Sequence, residues 1–469
     1  MPPLTLHPDR FFPADPTTRD LARRIHAATA SRPIVSPHGH VDAELFLRDV
    51  PFGDPTTLLI SPDHYVTRLL HADGVGLDVL GVGDERLDEL RSRRAFAELC
   101  ARWGLLAGTA VRSWLEAQLV ELFGVDRVPS TATADAIYDV IAERLASDAF
   151  RPRALWERFG LEVLATTDDP CSDLAAHRLL ADDPTWPGRV VPTFRPDAYL
   201  EAGRSDWVAL VGRLGAAADV DTGSYRGYLA ALEARRRFFI AHGATAADHS
   251  HADVHAEPLA DAEATRIYAA ALAGEATDAE AIAFRRHMLG EMARMSCEDG
   301  LVMMLHPGVV RNHHAPTFER FGPDSGHDLP RRIDFVEPLR PLLERYGTHP
   351  GFHLVAFTVD ETAWSRELAP LAGFYPSVFV GVPWWFLDAP DALGRFWSAV
   401  VDQIGFARTS GFVDDTRAFC SIPTRHDLSR RVEAGVLARL VAAHRLREDE
   451  ATAIAGRLVG DQPRNVFKL

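Results

Sequence analysis

The sequence predicts an α/β chain folded as a distorted (β/α)8 TIM-like barrel with a helical insertion after its first strand. Three observations carry that reading. Eight short apolar or β-branched runs end in polar residues. Helical patterns separate most of them, the alternation that builds parallel βαβ units. No Pro/Gly/Ser-rich linker divides the chain, so residues 1–469 read as one barrel ahead of two or three separate α/β domains.

The runs, in order, cover 32–40, 161–169, 189–196, 243–251, 301–308, 351–360, 375–385 and 407–415. The fourth and eighth are weak as strands. Helical spacing marks 269–295, 391–405 and 428–447, and the long segment 197–241 also reads as helical. About 120 residues separate the first two runs, and they read as helices over 92–103, 111–123 and 134–147. Residues 78–158 are therefore expected to form an insertion that partly caps the barrel mouth. In such a barrel the chemistry sits at the C-terminal strand ends, where these runs place their polar residues.

Composition narrows the function. The formal charge of −16 argues against nucleic-acid binding and against an electrostatic membrane anchor. Lys468 is the only lysine; the other 49 cations are arginine. That excludes an interior Schiff base, a Walker A lysine and a carbamylated lysine bridging two metals. Anionic ligands must then meet arginine, backbone or metal. Cys100, Cys171, Cys297 and Cys420 form no CxxC pair and read as reduced. With neither a signal peptide nor a long apolar span in the sequence, a cytoplasmic location is expected. GxSxG and GxGxxG fingerprints are also lacking.

Several strand ends carry candidate chemistry. His38 and His40 flank Gly39, and the side-chain period of two sends both imidazoles to one face. Such a pair can ligate a divalent ion, although HxH alone is equally compatible with surface histidines. Asp415 ends the eighth run and faces back toward the first across a closed barrel, a third ligand and a candidate proton acceptor. Arg417 lies close enough to steady an anionic intermediate. Asp414 better fits an Asx-turn or N-cap. His306 ends the most convincing buried run, with Arg311 and Asn312 behind it. Of the HSHADVH histidines, His249 is the site candidate, and His251 and His255 read as solvated. Arg195 is placed to clamp an anion. His64 and Tyr65 open a helix capped by Asp63. Trp384, paired with Trp385, suits stacking against a sugar face.

Together these segments resemble the uronate isomerase (glucuronate isomerase) family of the amidohydrolase superfamily, over nearly the full length. The resemblance rests on PHGH, SPDHYVTRLLHADGV, ATTDDPCSDL, VVPTFRPD, FFIAHGATAADH, LHPGVVRNHH, GVPWWFLD and VDDTRAFCSIPTRHDLSRR, in that order. FTVDETAW and RNHH depart from the family pattern. The resemblance implies an aldose–ketose isomerase that converts D-glucuronate to D-fructuronate, and in parallel D-galacturonate to D-tagaturonate, through a cis-enediolate. It implies one divalent ion, usually zinc, on His38, His40 and Asp415. It makes Asp415, Arg417 and Tyr65 catalytic, and places Arg195 at the sugar carboxylate. His306, Arg311, Asn312, Trp384, His64 and His249 are the remaining substrate contacts expected. The partner is a small hexuronate, neither nucleic acid nor membrane, with homo-oligomerisation left open. The rival readings are a metal-dependent hydrolase of a lactone, amide or deaminated base, and a non-catalytic sugar-acid or metal binder.

Overall fold

Short parallel strands, each sending its polar end to the same mouth, position everything that follows. The computed structural model describes residues 3–84 and 86–469. β1 (Ile34–Ser36), β2 (Leu161–Ala165) and β3 (Arg189–Val191) pair in parallel in that order. β4 (Thr193–Phe194) continues the line of β3 beyond Pro192, which has no N–H to give the ladder. It opens a second parallel sheet through β5 (Ala246–His249) and β6 (Val302–Leu305). An antiparallel hairpin, β7 (Val309–Val310) with β8 (Leu329–Pro330), then projects over the mouth before the sheet resumes. β9 (Leu354–Ala356) pairs with β6, and β10 (Val378–Val380) pairs with β9.

Closure comes from single bridges. Asp168 bridges Phe194 and joins the two sheets, while Thr409 bridges Val380 at the far edge. The His40 N–H donates to the Thr416 carbonyl at 3.0 Å, linking the eighth run back to the first. That run, weak in the sequence, supplies a bridge and no regular strand. The fourth run, equally weak in the sequence, is a full strand paired on both sides. Ala246 and Ala247 have low β-propensity, and burial between two neighbours overrides it.

The helices follow local signals. The stretch 269–295 proves to be parts of two helices, Asp261–Leu272 and Asp278–Asp299. Gly274, at φ 72°, leaves the first, and a Thr277–Glu280 capping box starts the second. Pro390–Ile404 agrees with its pattern, whereas the last long helix starts earlier than expected, at Ile422, with a proline in its first turn. Between β1 and β2 the chain is helical from Glu44 to Phe159, with loops between, and 78–158 lies within that stretch.

Alternation along the strands sorts side chains between barrel and helix layer. Val302 and Met304 of β6 pack inside with Ala246, Val355 and Phe467. Met303 and Leu305 join the large cluster beneath the helices. The barrel floor is filled from the C-terminal helix Asp461–Phe467, where Val466 and Phe467 are buried in the interior cluster. The sole lysine secures this plug: Lys468 Nζ donates to the Gly300 and Gly351 carbonyls at 2.7 and 3.1 Å. Phe467→Ala is expected to lower unfolding free energy by about 3–5 kcal/mol, measured by urea denaturation. A change below about 1 kcal/mol would show that the plug carries little of the packing.

Candidate active site

Beyond Ser36, the β1 chain continues as Pro37-His38-Gly39-His40, and the two rings meet edge to face with centroids 5.4 Å apart. A Cβ on Gly39 would stand 3.4 Å from the Thr416 carbonyl and 3.5 Å from Asp414 Oδ1, so glycine suits the close approach of the eighth run. Asp415 lies there in the left-handed region, at φ 39°, an uncommon conformation for a residue with a side chain. Its Oδ1 is 2.9 Å from His40 Nε2 and 3.6 Å from His38 Nε2.

His306 follows β6 and completes the group. Its ring stacks on His38 at 4.7 Å, and also on Phe357 and Trp384 at 4.1 and 5.1 Å. Ligand atoms of His38, His306 and Asp415 all lie within 4.8 Å of one another. Behind them stands Asp248, on the interior face of β5 and fully buried. Its Oδ1 is 2.6 Å from His306 Nδ1, which donates, so Nε2 is the free nitrogen of that ring. Asp248 Oδ2 lies 3.3 Å from Arg195 Nη1 and 3.9 Å from His38 Nε2.

His306 Nε2, Asp248 Oδ2 and Asp415 Oδ1 are buried here without a hydrogen-bond partner, and His38 Nε2 stands 3.9 Å from Asp248 Oδ2 and 3.6 Å from Asp415 Oδ1. Buried orphans normally cost about 1–3 kcal/mol each, and imidazole nitrogens converging with carboxylate oxygens fit a divalent cation. Electrostatics agree. Burial pushes His38 down to about 4, against Asp248 and Asp415, so the ring is neutral at pH 7 and able to ligate. Burial also raises the Asp415 carboxyl, but His38 and the adjacent His40 outweigh it and hold it well below its usual range. Asp248 is likewise held low, burial being opposed by His306, Arg195 and His38.

The walls come from four further segments. In the helix His64–Ala72, whose N-cap Asp63 accepts from the Tyr65 N–H, Tyr65 reaches the cavity. Its hydroxyl donates to Asp388 at 3.0 Å and accepts from the Phe386 N–H at 2.9 Å. Arg425 donates to the other oxygen of Asp388 at 2.7 Å and lies 3.7 Å over the Trp114 ring. Burial and the neighbouring Asp388 raise the Tyr65 hydroxyl well above its ordinary value, so it remains a donor. His64 Nε2 accepts from Trp385 Nε1 at 2.8 Å. The hairpin brings Arg311 and Asn312, both held by Asp328, through Arg311 Nη1 and the Asn312 N–H at 2.8 and 2.7 Å. Arg417 pairs with Asp324 at 3.2 Å, and Arg195 Nε donates to Asp197 at 3.1 Å.

Of the residues expected from the sequence, His38, His40, His64, Tyr65, Arg195, His306, Arg311, Asn312, Trp384, Asp415 and Arg417 all line one cavity of about 390 Å³. His249 does not. It alternates with Asp248 along β5 and so projects from the opposite face, away from the cavity. His251 is not solvated either: it is buried, 5% exposed, against Glu201. Asp414 is no turn residue, being buried and 2.9 Å from His426 Nε2. The sequence reading missed Asp248, Asp324, Asp328, Asp388 and Arg425. Five arginines and five aspartates line the cavity, so its formal charge is zero where the chain carries −16. Among the described residues, no helix is long and apolar enough to cross a membrane.

A family model described as glucuronate isomerase matches residues 10–463. The chain belongs to the glucuronate isomerase family. The uronate isomerase of Cutibacterium acnes is 50% identical over 100% of this chain and 99% of its own length. That of Corynebacterium efficiens is 51% identical over 99% and 98%. The crystal structure of glucuronate isomerase from Caulobacter crescentus superposes with a TM-score of 0.97 at 42% identity, covering 99% of this chain and 97% of that one. Family and barrel fold thus both agree with the sequence expectation.

The buried His38 imidazole gives the fold a definite acid response. In metal-free protein the unfolded chain takes up the His38 proton near pH 6.5 and the folded chain only near 4. Stability therefore falls as pH drops through that window, by about 2 kcal/mol at pH 5 from this ring alone. Asp168, raised to about 6 by burial, acts in the opposite sense in wild type and variant alike. Urea unfolding at pH 7 and pH 5 should show a shallower decline for His38→Gln than for wild type. Equal declines would contradict the assignment.

Proposed function

We propose that this chain interconverts D-glucuronate and D-fructuronate, with D-galacturonate and D-tagaturonate as the parallel pair. The observation that carries the proposal is the convergence of His38, His40 and His306 on the Asp415 carboxylate at a barrel mouth, in a chain matched end to end by uronate isomerases. The cavity falls in the roughly 300–1,000 Å³ range of small-molecule sites. Its arginines offset its aspartates, which suits an anionic sugar better than the acidic surface elsewhere does. We read residues 1–469 as one barrel, with 78–158 an insertion beside its mouth, acting in the cytoplasm.

The orphaned atoms fit a metal, and His38, His40 and Asp415 would hold one divalent ion, zinc in our reading, with His306 beside them. Bound there, the ion would supply positive charge that anchors substrate oxygens. Without a lysine to bridge a pair, the mouth is mononuclear.

The reaction moves one proton of the open-chain sugar from C2 to C1. Asp415 accepts it as the C2–H bond breaks; the electron pair forms the C1–C2 double bond and the carbonyl electrons move to O1. The same carboxyl returns the proton to C1 as the O2 hydroxyl gives up its own proton and C2=O2 forms, while O1 takes up a proton to become the C1 hydroxyl, so that O1 gains what O2 loses. Because His38 is neutral at pH 7, it holds the carboxylate less strongly than its protonated form would. Arg417 steadies the enediolate oxygens, and the Tyr65 hydroxyl does so once its proton turns from Asp388 toward the substrate. Arg195 receives the sugar carboxylate. His64, His306, Arg311, Asn312 and Trp384 form the walls along the remaining carbons.

Asp415→Asn is expected to lower turnover by about 10²–10⁴-fold and to stop exchange of the C2 proton of D-glucuronate with D2O, followed by proton NMR. Retained exchange would contradict the assigned base. Tyr65→Phe is expected to cost about 10²–10³ in kcat, with KM changing far less. A variant with normal kcat and raised KM would make Tyr65 a binding residue only.

A further inference from the structure

On the outer face of β5, behind the cavity wall, a second set of ligating side chains converges. His249 is 1% exposed, and neither of its ring nitrogens has a hydrogen-bond partner. The His251 ring lies nearly parallel to it, with centroids 6.2 Å apart. Asp197 Oδ1 stands 3.6 Å from His251 Nε2, which is also buried and without a partner. One ligand atom from each of the three lies within 4.8 Å of the other two.

The surroundings orient these atoms toward a common point. His251 Nδ1 lies 2.8 Å from Glu201 Oε1. An ionised carboxylate only accepts, so Nδ1 carries the proton and Nε2 presents its lone pair toward Asp197. A carboxylate behind a histidine in this way is the usual outer partner of a metal-ligating imidazole. Asp197 is fixed by the Ser250 N–H and by Arg195 Nε, each donating at 3.1 Å. Neighbouring guanidinium groups also pair beyond the three ligands: Arg195, which holds Asp197, reaches Asp248 as well, Arg236 has Asp299, and Arg285 has Asp253 with Glu201 at 3.8 Å. An imidazole buried with both nitrogens unsatisfied calls for an occupant, and two imidazoles with one carboxylate suit a divalent transition metal.

We propose that Asp197, His249 and His251 bind a second divalent ion of zinc-like preference, at a site that shares no ligand with the barrel mouth. The mouth itself stays mononuclear, since no interior lysine can bridge a pair there. This ion has a positioning role. Asp197 holds Arg195, and Arg195 reaches Asp248 inside the cavity, so loading the outer site fixes the arginine from behind.

The test counts metal. Metal-free full-length protein is loaded with ZnCl2, dialysed and analysed for zinc, and a parallel sample is loaded with Co2+ and read by its visible absorption. Wild type is expected to hold two ions per chain. The His38→Gln/Asp415→Asn variant should retain one, with a Co2+ spectrum of mixed imidazole–carboxylate ligation. Adding His249→Gln, or separately His251→Gln, should leave none; if circular dichroism shows one of these unfolded, the other decides. One ion in wild type with none in His38→Gln/Asp415→Asn overturns the proposal. One ion in wild type that survives in His38→Gln/Asp415→Asn and disappears in His249→Gln supports it, and fails the mouth metal instead.

Discussion

A fully buried carboxylate, Asp248, binds the mouth of this barrel together. It faces His306 beyond β6, Arg195 beyond β4 and His38 beyond β1. A carboxylate deprived of water costs several kcal/mol unless cations and donors replace the solvent. Asp248 is therefore tolerated only when three strand ends arrive together, which brings His38 and His306 to one side of the mouth. Two orphaned atoms, Asp248 Oδ2 and Asp415 Oδ1, point into the same small volume. Charges of both signs thus converge on one cavity, the condition under which a metal and an anionic substrate both find partners.

An acidic chain that handles an acidic sugar has to suppress its own field locally. It does so with arginine, because no interior lysine exists. Arg311 and Arg417 are held by Asp328 and Asp324 of the hairpin loop, and Arg195 by Asp197 and Asp248. Each guanidinium is thus fixed in direction and keeps further N–H donors available, a geometry suited to carboxylates. Tyr65 is oriented in the same manner, between Asp388 and the Phe386 N–H, with Arg425 behind Asp388.

Much of this was legible in the sequence wherever a strand's period of two could be followed. PHGH placed both imidazoles correctly, and VDD placed Asp415 opposite them. At the fourth run the same rule was available but unused. Ala246 and Asp248 share the interior face and Ala247 and His249 the outer one, yet the alanine-rich run looked too poor a strand for its phase to be trusted. His249 therefore belongs to the outer face, and the cavity residue of this strand is Asp248. Asp324 and Asp328 were out of reach, since the hairpin that delivers them has strands of only two residues. Asp388 and Arg425 lie 37 positions apart and meet only in the folded chain. The merging of 269–295 into one helix failed for a local reason: Gly274 and the Thr277 cap were present in the sequence, and alanine periodicity outweighed them.

This mouth rearranges a sugar acid and does not add water to it. Incubating metal-loaded protein with D-glucuronate and following mass and proton NMR together tests that most directly. A ketose product of unchanged mass is the predicted result. A product heavier by one water would contradict the claim and make the same constellation a hydrolase.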